Sequence, residues 1–514
     1  MNAEQAYLFR HALLRDAAYQ LHLPGDRARL HALAFDLIEQ SAGGRAPEPA
    51  PLDARGKATF TPHPTDPFAE ELAEHARLAE PESCPEAESK LPLRLLYLRR
   101  AAEHAERLFL SETGARLWQS LSSLSEGAHR GECLRRAALA LSQLGRMTEV
   151  EALTEQALLI FRRIGDRRLE GNAMISLAIA RYRTGRTDAA TATCEQALAL
   201  IRGAGDQRDE GNALGFLANL YRALGRTAPA GEVFEQAMSL LRESGDRRAE
   251  GLCLGSRAIL YQETDQLKEA EATFALALEI FRESGDRHSE AVVLANLSLL
   301  YTQTGRKPLA EATMGQAVAI CRAVGNRPSE GSILGNLAQL YAENGSMVQA
   351  EATFEAALAI LREVGDRRGE GTFLGNLAGL YRGTGRTALA EETYEQALRI
   401  HRESRNRKQE GIHLGNLADL LVSTGRAEQA ETLFGQALAI HREVGSRLFE
   451  ARHQCDLAFC LLARGRVQGA EAAFRAGSEA LRDQGRRTDL ENKSAAMREA
   501  CARAGVPPFE ERPA

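Results

Sequence analysis

Four asparagines, Asn296, Asn336, Asn376 and Asn416, stand 40 residues apart in one row. A carboxamide carries two N–H donors and an acceptor oxygen, so a row of them can pair with a peptide backbone whatever its side chains. At about 100° per residue, Asn376 lies about 160° from Leu374, on the opposite side of a helix from its apolar stripe. The same register holds Ser176, Phe216, Ser256 and Asp456. Three residues further on comes a variable row with polar Asn219, Gln339 and Asp419 and apolar Ile259 and Leu299. With Phe216, these apolar residues suit the side chains of a ligand. Two plainer readings stand beside this one. The amides tie adjacent helices together or are solvated, and the apolar neighbours serve loose packing between helices.

Other residues with chemical potential are weaker candidates. Glycine pairs such as Gly371 and Gly375 recur at 211/215, 251/255, 331/335 and 411/415. Each helical glycine costs up to about 1 kcal/mol against alanine, and close approach of the preceding helix is the expected reason for it. Arginine and glutamate recur with the same period, as Arg362 and Glu370. They read as a ladder of exposed ion pairs, each worth roughly 0–1 kcal/mol. His401, His413, His441 and His453 lie near Cys455 and Cys460. Histidines one repeat apart are about 10 Å apart if their helices pack, too far for shared coordination, so no metal site is expected. No Ser-His-Asp set, carboxylate pair or cofactor fingerprint is present. No Gly-x-x-x-x-Gly-Lys-Ser/Thr loop occurs, and Gly43-Gly44-Arg45 and Gly56-Lys57 have the wrong spacing. No catalytic residue, cofactor or metal is therefore assigned.

Composition narrows the class further. A net charge of -6 with mixed signs supplies no basic stripe for nucleic acid. No apolar run reaches membrane-spanning length, and Glu4, Arg10, Arg15 and Asp16 make the N-terminus unlike a signal peptide. Eight scattered cysteines without a Cys-x-x-Cys pair suit buried free thiols in a reducing compartment. A cytoplasmic location is expected, with neither nucleic acid nor membrane as partner and no indication of oligomeric state.

The elements that position these residues repeat every 40 residues through 166–490 without insertion or deletion. In 211–250, Leu214, Leu217, Ala218 and Tyr221 form one helical stripe and Ala230, Phe234, Ala237 and Leu241 a second. Gly225 and Gly245 read as left-handed C-caps. Asp166, Asp206, Asp246, Asp286 and Asp366 read as N-caps of the following helices. Each unit is thus an antiparallel helix pair, helix A then helix B, and a strict period of this length signals an α-solenoid.

The stripe resembles the tetratricopeptide repeat, with helix A aromatics Tyr221, Tyr261, Tyr301, Tyr341 and Tyr381 and helix B aromatics Phe234, Phe274, Phe354, Tyr394, Phe434 and Phe474. The resemblance implies an all-α, right-handed superhelix with the A helices lining a groove, so that the asparagine row faces it. The 40-residue length is similar to kinesin light chain and Pins/LGN-type adaptors, which use an asparagine at the matching place to bind peptides. Residues 130–487 then form the array, one degenerate and eight regular repeats, and 488–505 a capping helix. Residues 506–514 read as a disordered tail.

Upstream, Phe9-Arg10-His11-Ala12-Leu13, Arg15, Ala18-Tyr19 and Arg29-Leu30-His31 resemble the helical region of bacterial STAND-type signalling ATPases. Residues 1–41 are assigned to it, 42–67 to a flexible Pro-rich linker and 68–129 to a divergent helical junction. The expected function is a non-catalytic scaffold or sensor holding a protein or peptide in the groove. The alternative is the detached regulatory half of such an ATPase, acting with a separately encoded nucleotide-binding, kinase or cyclase partner.

Overall fold

The structure is a computed structural model describing residues 23–52, 60–79 and 89–509. It has two units. The first, built from residues up to Leu141 and from Ala152–Leu169, contains the helices Pro24–Ser41, Ala69–Leu78, Leu91–Arg107 and Ser111–Ser123. The second, Ser142–Glu151 and Glu170 onward, holds the regular repeats.

Within the second unit the A helices are Gln207–Ala223, Arg247–Glu263, Arg287–Gln303, Arg327–Glu343, Arg367–Gly383, Arg407–Ser423 and Arg447–Ala463, after a first A helix at Arg167–Arg183. The B helices are Thr187–Ala204, Thr227–Glu243, Leu267–Ser284, Lys307–Ala323, Met347–Glu363, Thr387–Glu403, Ala427–Glu443 and Val467–Asp483, and Arg487–Ala504 closes the array. Every described element is helical, and the array is an all-α solenoid of antiparallel pairs.

Local chemistry sets each boundary. The side chains of Asp206, Asp246, Asp286 and Asp366 accept from the backbone N–H three residues on, at 2.9–3.1 Å, satisfying a donor that the first turn leaves free. Glycines such as Gly365, at φ 72°, end the B helices in the left-handed conformation. Asp265 and Arg405 take that conformation without being glycine, at φ 62° and 52°. Small residues then let the paired helices close. Ala390, Tyr394 and Ala397 are 0–1% exposed where helix B meets helix A.

Successive A helices touch one another, whereas successive B helices make no comparable contact among the described residues. The A side is therefore the inner, more crowded side. The unit coils far enough for Arg368 to donate to the carbonyl of Arg183, 185 residues earlier, and for Gly185 to meet Val444.

Residues 1–22, which carry most of the ATPase-like stretch, lie outside the described residues. The Pro-rich segment is not loose at its ends. Arg100 donates to the carbonyls of Pro47 and Thr61 at 3.4 and 3.0 Å and pairs with buried Asp66 at 2.7 Å, and Arg99 holds the Ala50 carbonyl at 2.5 Å. These guanidiniums supply donors that proline-rich backbone cannot find in itself. In the C-terminal segment the ring of Phe509 lies 6.3 Å from that of Phe474.

Candidate functional site on the inner face of the A helices

Asn296, Asn336, Asn376 and Asn416 all sit half-buried on the side of their A helices away from the stripe Leu294/Leu297, Leu334/Leu337, Leu374/Leu377 and Leu414/Leu417, which is at most 7% exposed. None of the four amides hydrogen-bonds to another protein group among the described residues. Their polar neighbours differ. Asn219 donates to the Gly215 carbonyl at 3.1 Å, and Gln339 to Glu343 at 3.1 Å. Asp419 pairs with Arg382, and Asp456 with Lys493. Ties between neighbouring A helices therefore do not account for the asparagine row.

The apolar candidates divide. Phe216 packs edge-on against Tyr182, centroids 6.4 Å apart, and Ile259 rests partly on the core. Leu299 is 44% exposed. Leu252 and Val292, absent from the sequence candidates, are 45% and 39% exposed. Val292, Asn296 and Leu299 stand at i−4, i and i+3, which is one helical face. The available signal was that 252 and 292 are apolar where the matching positions 212, 332 and 372 are polar.

Both glycine rows answer to packing, but not against the preceding helix B. A Cβ on Gly371 would lie 2.8 Å from His401 and 2.9 Å from Ile400, on the helix B that follows. One on Gly375 would lie 2.0 Å from His413, on the next helix A. Gly411 and Gly415 meet His441 and His453 in the same way, and Gly331 and Gly335 meet Leu361 and Phe373. Each pair of glycines thus receives one side chain from its own repeat and one from the next.

That arrangement explains the histidines. They pair at a spacing of 12, not 40. His401 Nε2 lies 3.0 Å from His413 Nδ1, and His441 Nε2 lies 3.0 Å from His453 Nδ1. All four are buried. Burial pushes His401 and His453 down to about 3, helped by the partner imidazole, and pushes His413 and His441 down to about 4. Among the described residues no group of three or more His, Cys, Asp or Glu side chains converges.

The Arg–Glu ladder also differs from a set of exposed pairs. Glu330, 2% exposed, takes Arg322 of the preceding helix B at 2.6 Å and Arg327 of its own helix A at 2.6 Å. Glu250, Glu290, Glu370 and Glu410 are held by two arginines in the same geometry. Two donors per buried carboxylate staple one repeat to the next. The seven described cysteines are free and buried. No described helix is long and apolar enough to cross a membrane.

A Rap protein complexed with competence and sporulation factor is 15% identical, covering 68% of this chain and 98% of its own, at a TM-score of 0.48. The STAND protein with a tetratricopeptide repeat sensor from Pyrococcus horikoshii is 16% identical over 83% of this chain and 74% of its own, at 0.45. A putative kinesin light chain repeat protein of Podospora anserina is 22% identical over 38% of this chain and 95% of its own, at 0.32. No curated protein matches the sequence. The tetratricopeptide repeat profile matches residues 177–243, 249–323, 329–403 and 409–483, more than half of the 514 residues. The chain belongs to the tetratricopeptide repeat family.

Proposed function

We propose that the array is a non-catalytic scaffold or sensor that holds an extended protein or peptide segment along the inner face of its A helices. The observation that carries this reading is the row of four aligned, half-buried amides with no partner among the described residues. Packed helices lie about 8–10 Å apart, and an extended or polyproline-like chain advances about 3.1–3.4 Å per residue. Each repeat therefore faces about three ligand residues. An amide in every repeat then meets every third peptide unit, a spacing that suits the threefold period of a polyproline II segment. Leu252, Val292 and Leu299 offer the ligand an apolar stretch beside Asn296.

The test is selection of ligands from an unbiased displayed peptide library on the intact chain, followed by hydrogen-exchange mapping of a selected peptide. Protection centred on the A helices from Arg287–Gln303 to Arg407–Ser423 supports the reading. A footprint confined to the B helices, or a library that yields no saturable binder, contradicts it.

A further inference from the structure

A cavity of about 520 Å3 opens between the B helices Thr387–Glu403 and Ala427–Glu443, away from the asparagine row. Its floor is Leu398, Leu414, Leu417 and Leu421, and Glu391 and Glu395 stand at its wall. One of its lining residues, Leu421, marks a change of residue type. Positions 221, 261, 301, 341 and 381 are tyrosine, whereas position 421 is leucine.

The neighbouring repeats show what normally fills this place. The Tyr301 ring lies under the Arg306 guanidinium, 4.4 Å from its centroid. Arg306 holds Glu271 through both Nη atoms at 3.0 and 2.8 Å, while its Nε donates to Thr304 at 2.9 Å. Tyr381 repeats the placement under Arg386 at 4.4 Å, and Arg386 holds Glu351 through both Nη atoms at 2.8 and 2.9 Å. Tyr221 bonds Glu195, the counterpart of Glu395, at 2.9 Å.

At position 421 the frame is complete and the ring is missing. Arg426 holds Glu391 through both Nη atoms at 2.7 and 2.6 Å and donates to Thr424 at 3.2 Å, as its counterparts do. In the next repeat, where Leu461 also replaces tyrosine, Glu431 is shared by Arg464 and Arg466. Only the 421 frame, of these two, keeps the one-arginine pattern of the tyrosine-filled repeats.

We propose that this cavity is a receptor site for a phenolic ring, namely a tyrosine side chain presented by a partner protein, with its hydroxyl on Glu395 and its ring face beneath Arg426. The chain supplies its own template for each contact. The apolar floor takes the ring, a carboxylate takes the hydroxyl, and a guanidinium covers the π face. A dry apolar cavity of about 150 Å3 already holds a benzene ring, so about 520 Å3 leaves room for a ring and its flanking backbone. The site is independent of the groove reading, because its residues and those of the asparagine row lie on different sides of the Arg407–Ser423 helix.

The experiment is ligand-observed and protein-observed NMR titration of the intact chain with p-cresol, toluene and N-acetyl-L-tyrosinamide, repeated on Leu421→Tyr and Leu421→Phe. Helicity of both variants is checked by circular dichroism. Saturable binding of p-cresol and N-acetyl-L-tyrosinamide in the millimolar range, toluene at least threefold weaker, and loss of binding in the variants are expected. Binding that survives both substitutions, or no saturable binding of either phenol, overturns the site. Binding of p-cresol with exclusion of N-acetyl-L-tyrosinamide overturns the assignment to a partner's tyrosine. Peptide binding in the groove is read separately and is unchanged in both variants.

Discussion

Replacing Gly375 with alanine sets two effects of known size against each other. In an open helix interior, glycine to alanine stabilises by up to about 1 kcal/mol. At Gly375 the new methyl would fall 2.0 Å from His413 Cε1, 2.3 Å from Nε2 and 2.4 Å from Nδ1, against the whole ring. His413 is 2% exposed and bonded to His401, so its ring has nowhere to swing. Overpacking of this kind costs about 1–3 kcal/mol, and this overlap belongs at the upper end. The net expectation is destabilisation by about 1–2 kcal/mol. Gly435→Ala is the control. It lies in the interior of Ala427–Glu443 with nothing within 4 Å of the added methyl, and it is expected to stabilise by up to about 1 kcal/mol. A His413→Val background should remove the penalty, because a Cβ on Gly255 meets its matching Val293 at an ordinary 3.5 Å. Urea denaturation by circular dichroism measures the sum. Hydrogen exchange in Arg367–Gly383 and Arg407–Ser423 locates it, since solenoid repeats open locally. If Gly375→Ala is as stabilising as Gly435→Ala, the close approach of the two A helices is wrong.

Three further outcomes follow from the same contacts. The buried histidines are neutral in the folded array and protonate near 6.5 when it unfolds, so their contribution is complete above about pH 6.5 and is lost as pH falls toward 4–3. Denaturation midpoints from pH 7 to 4 should fall less steeply for His401→Leu/His413→Phe, which installs the Leu361/Phe373 pair of the preceding repeat; equal slopes would contradict the pairing. Arg405→Gly should raise stability by about 1 kcal/mol in urea melts, because Arg405 holds φ at 52° where most repeats use glycine. Glu330→Gln should cost about 1–2 kcal/mol: the negative charge is lost and one of the two arginines meets an amide NH2 in place of an acceptor, discounted because Arg322 and Arg327 are 60% and 40% exposed. A change under about 0.3 kcal/mol would mean that the staple contributes nothing.

Helix pairs, caps and the inner asparagine row were legible because each depends on spacing within a helix or on the 40-residue register. Contacts between helices were not. His401 and His413 read as members of rows 40 apart, yet they meet because the end of a helix B lies against the start of the next helix A. The partners of Gly371 and Gly375 were misassigned for the same reason. Burial of Glu330 depends on two arginines converging from different helices, which periodicity does not reveal. Arg99 and Arg100 hold the Pro-rich segment across 34–53 residues of sequence, beyond any local pattern. The missing tyrosine at 421 was visible as a residue type, but the intact Arg426–Glu391 frame around it was not.

The central claim is that the free amides clamp a ligand backbone, and the quadruple variant of Asn296, Asn336, Asn376 and Asn416 to alanine tests it most directly. Neutral hydrogen bonds are worth about 0.5–1.5 kcal/mol each, so four lost together amount to about 2–6 kcal/mol, or roughly a 30-fold to more than 10,000-fold rise in Kd. Calorimetric Kd for a library-selected peptide and the melting temperature are read on the same preparation. The account expects Kd to rise by at least that lower factor while the melting temperature is unchanged or slightly higher, since alanine favours helix. An array that melts earlier yet binds the peptide with unchanged Kd below its transition would contradict it.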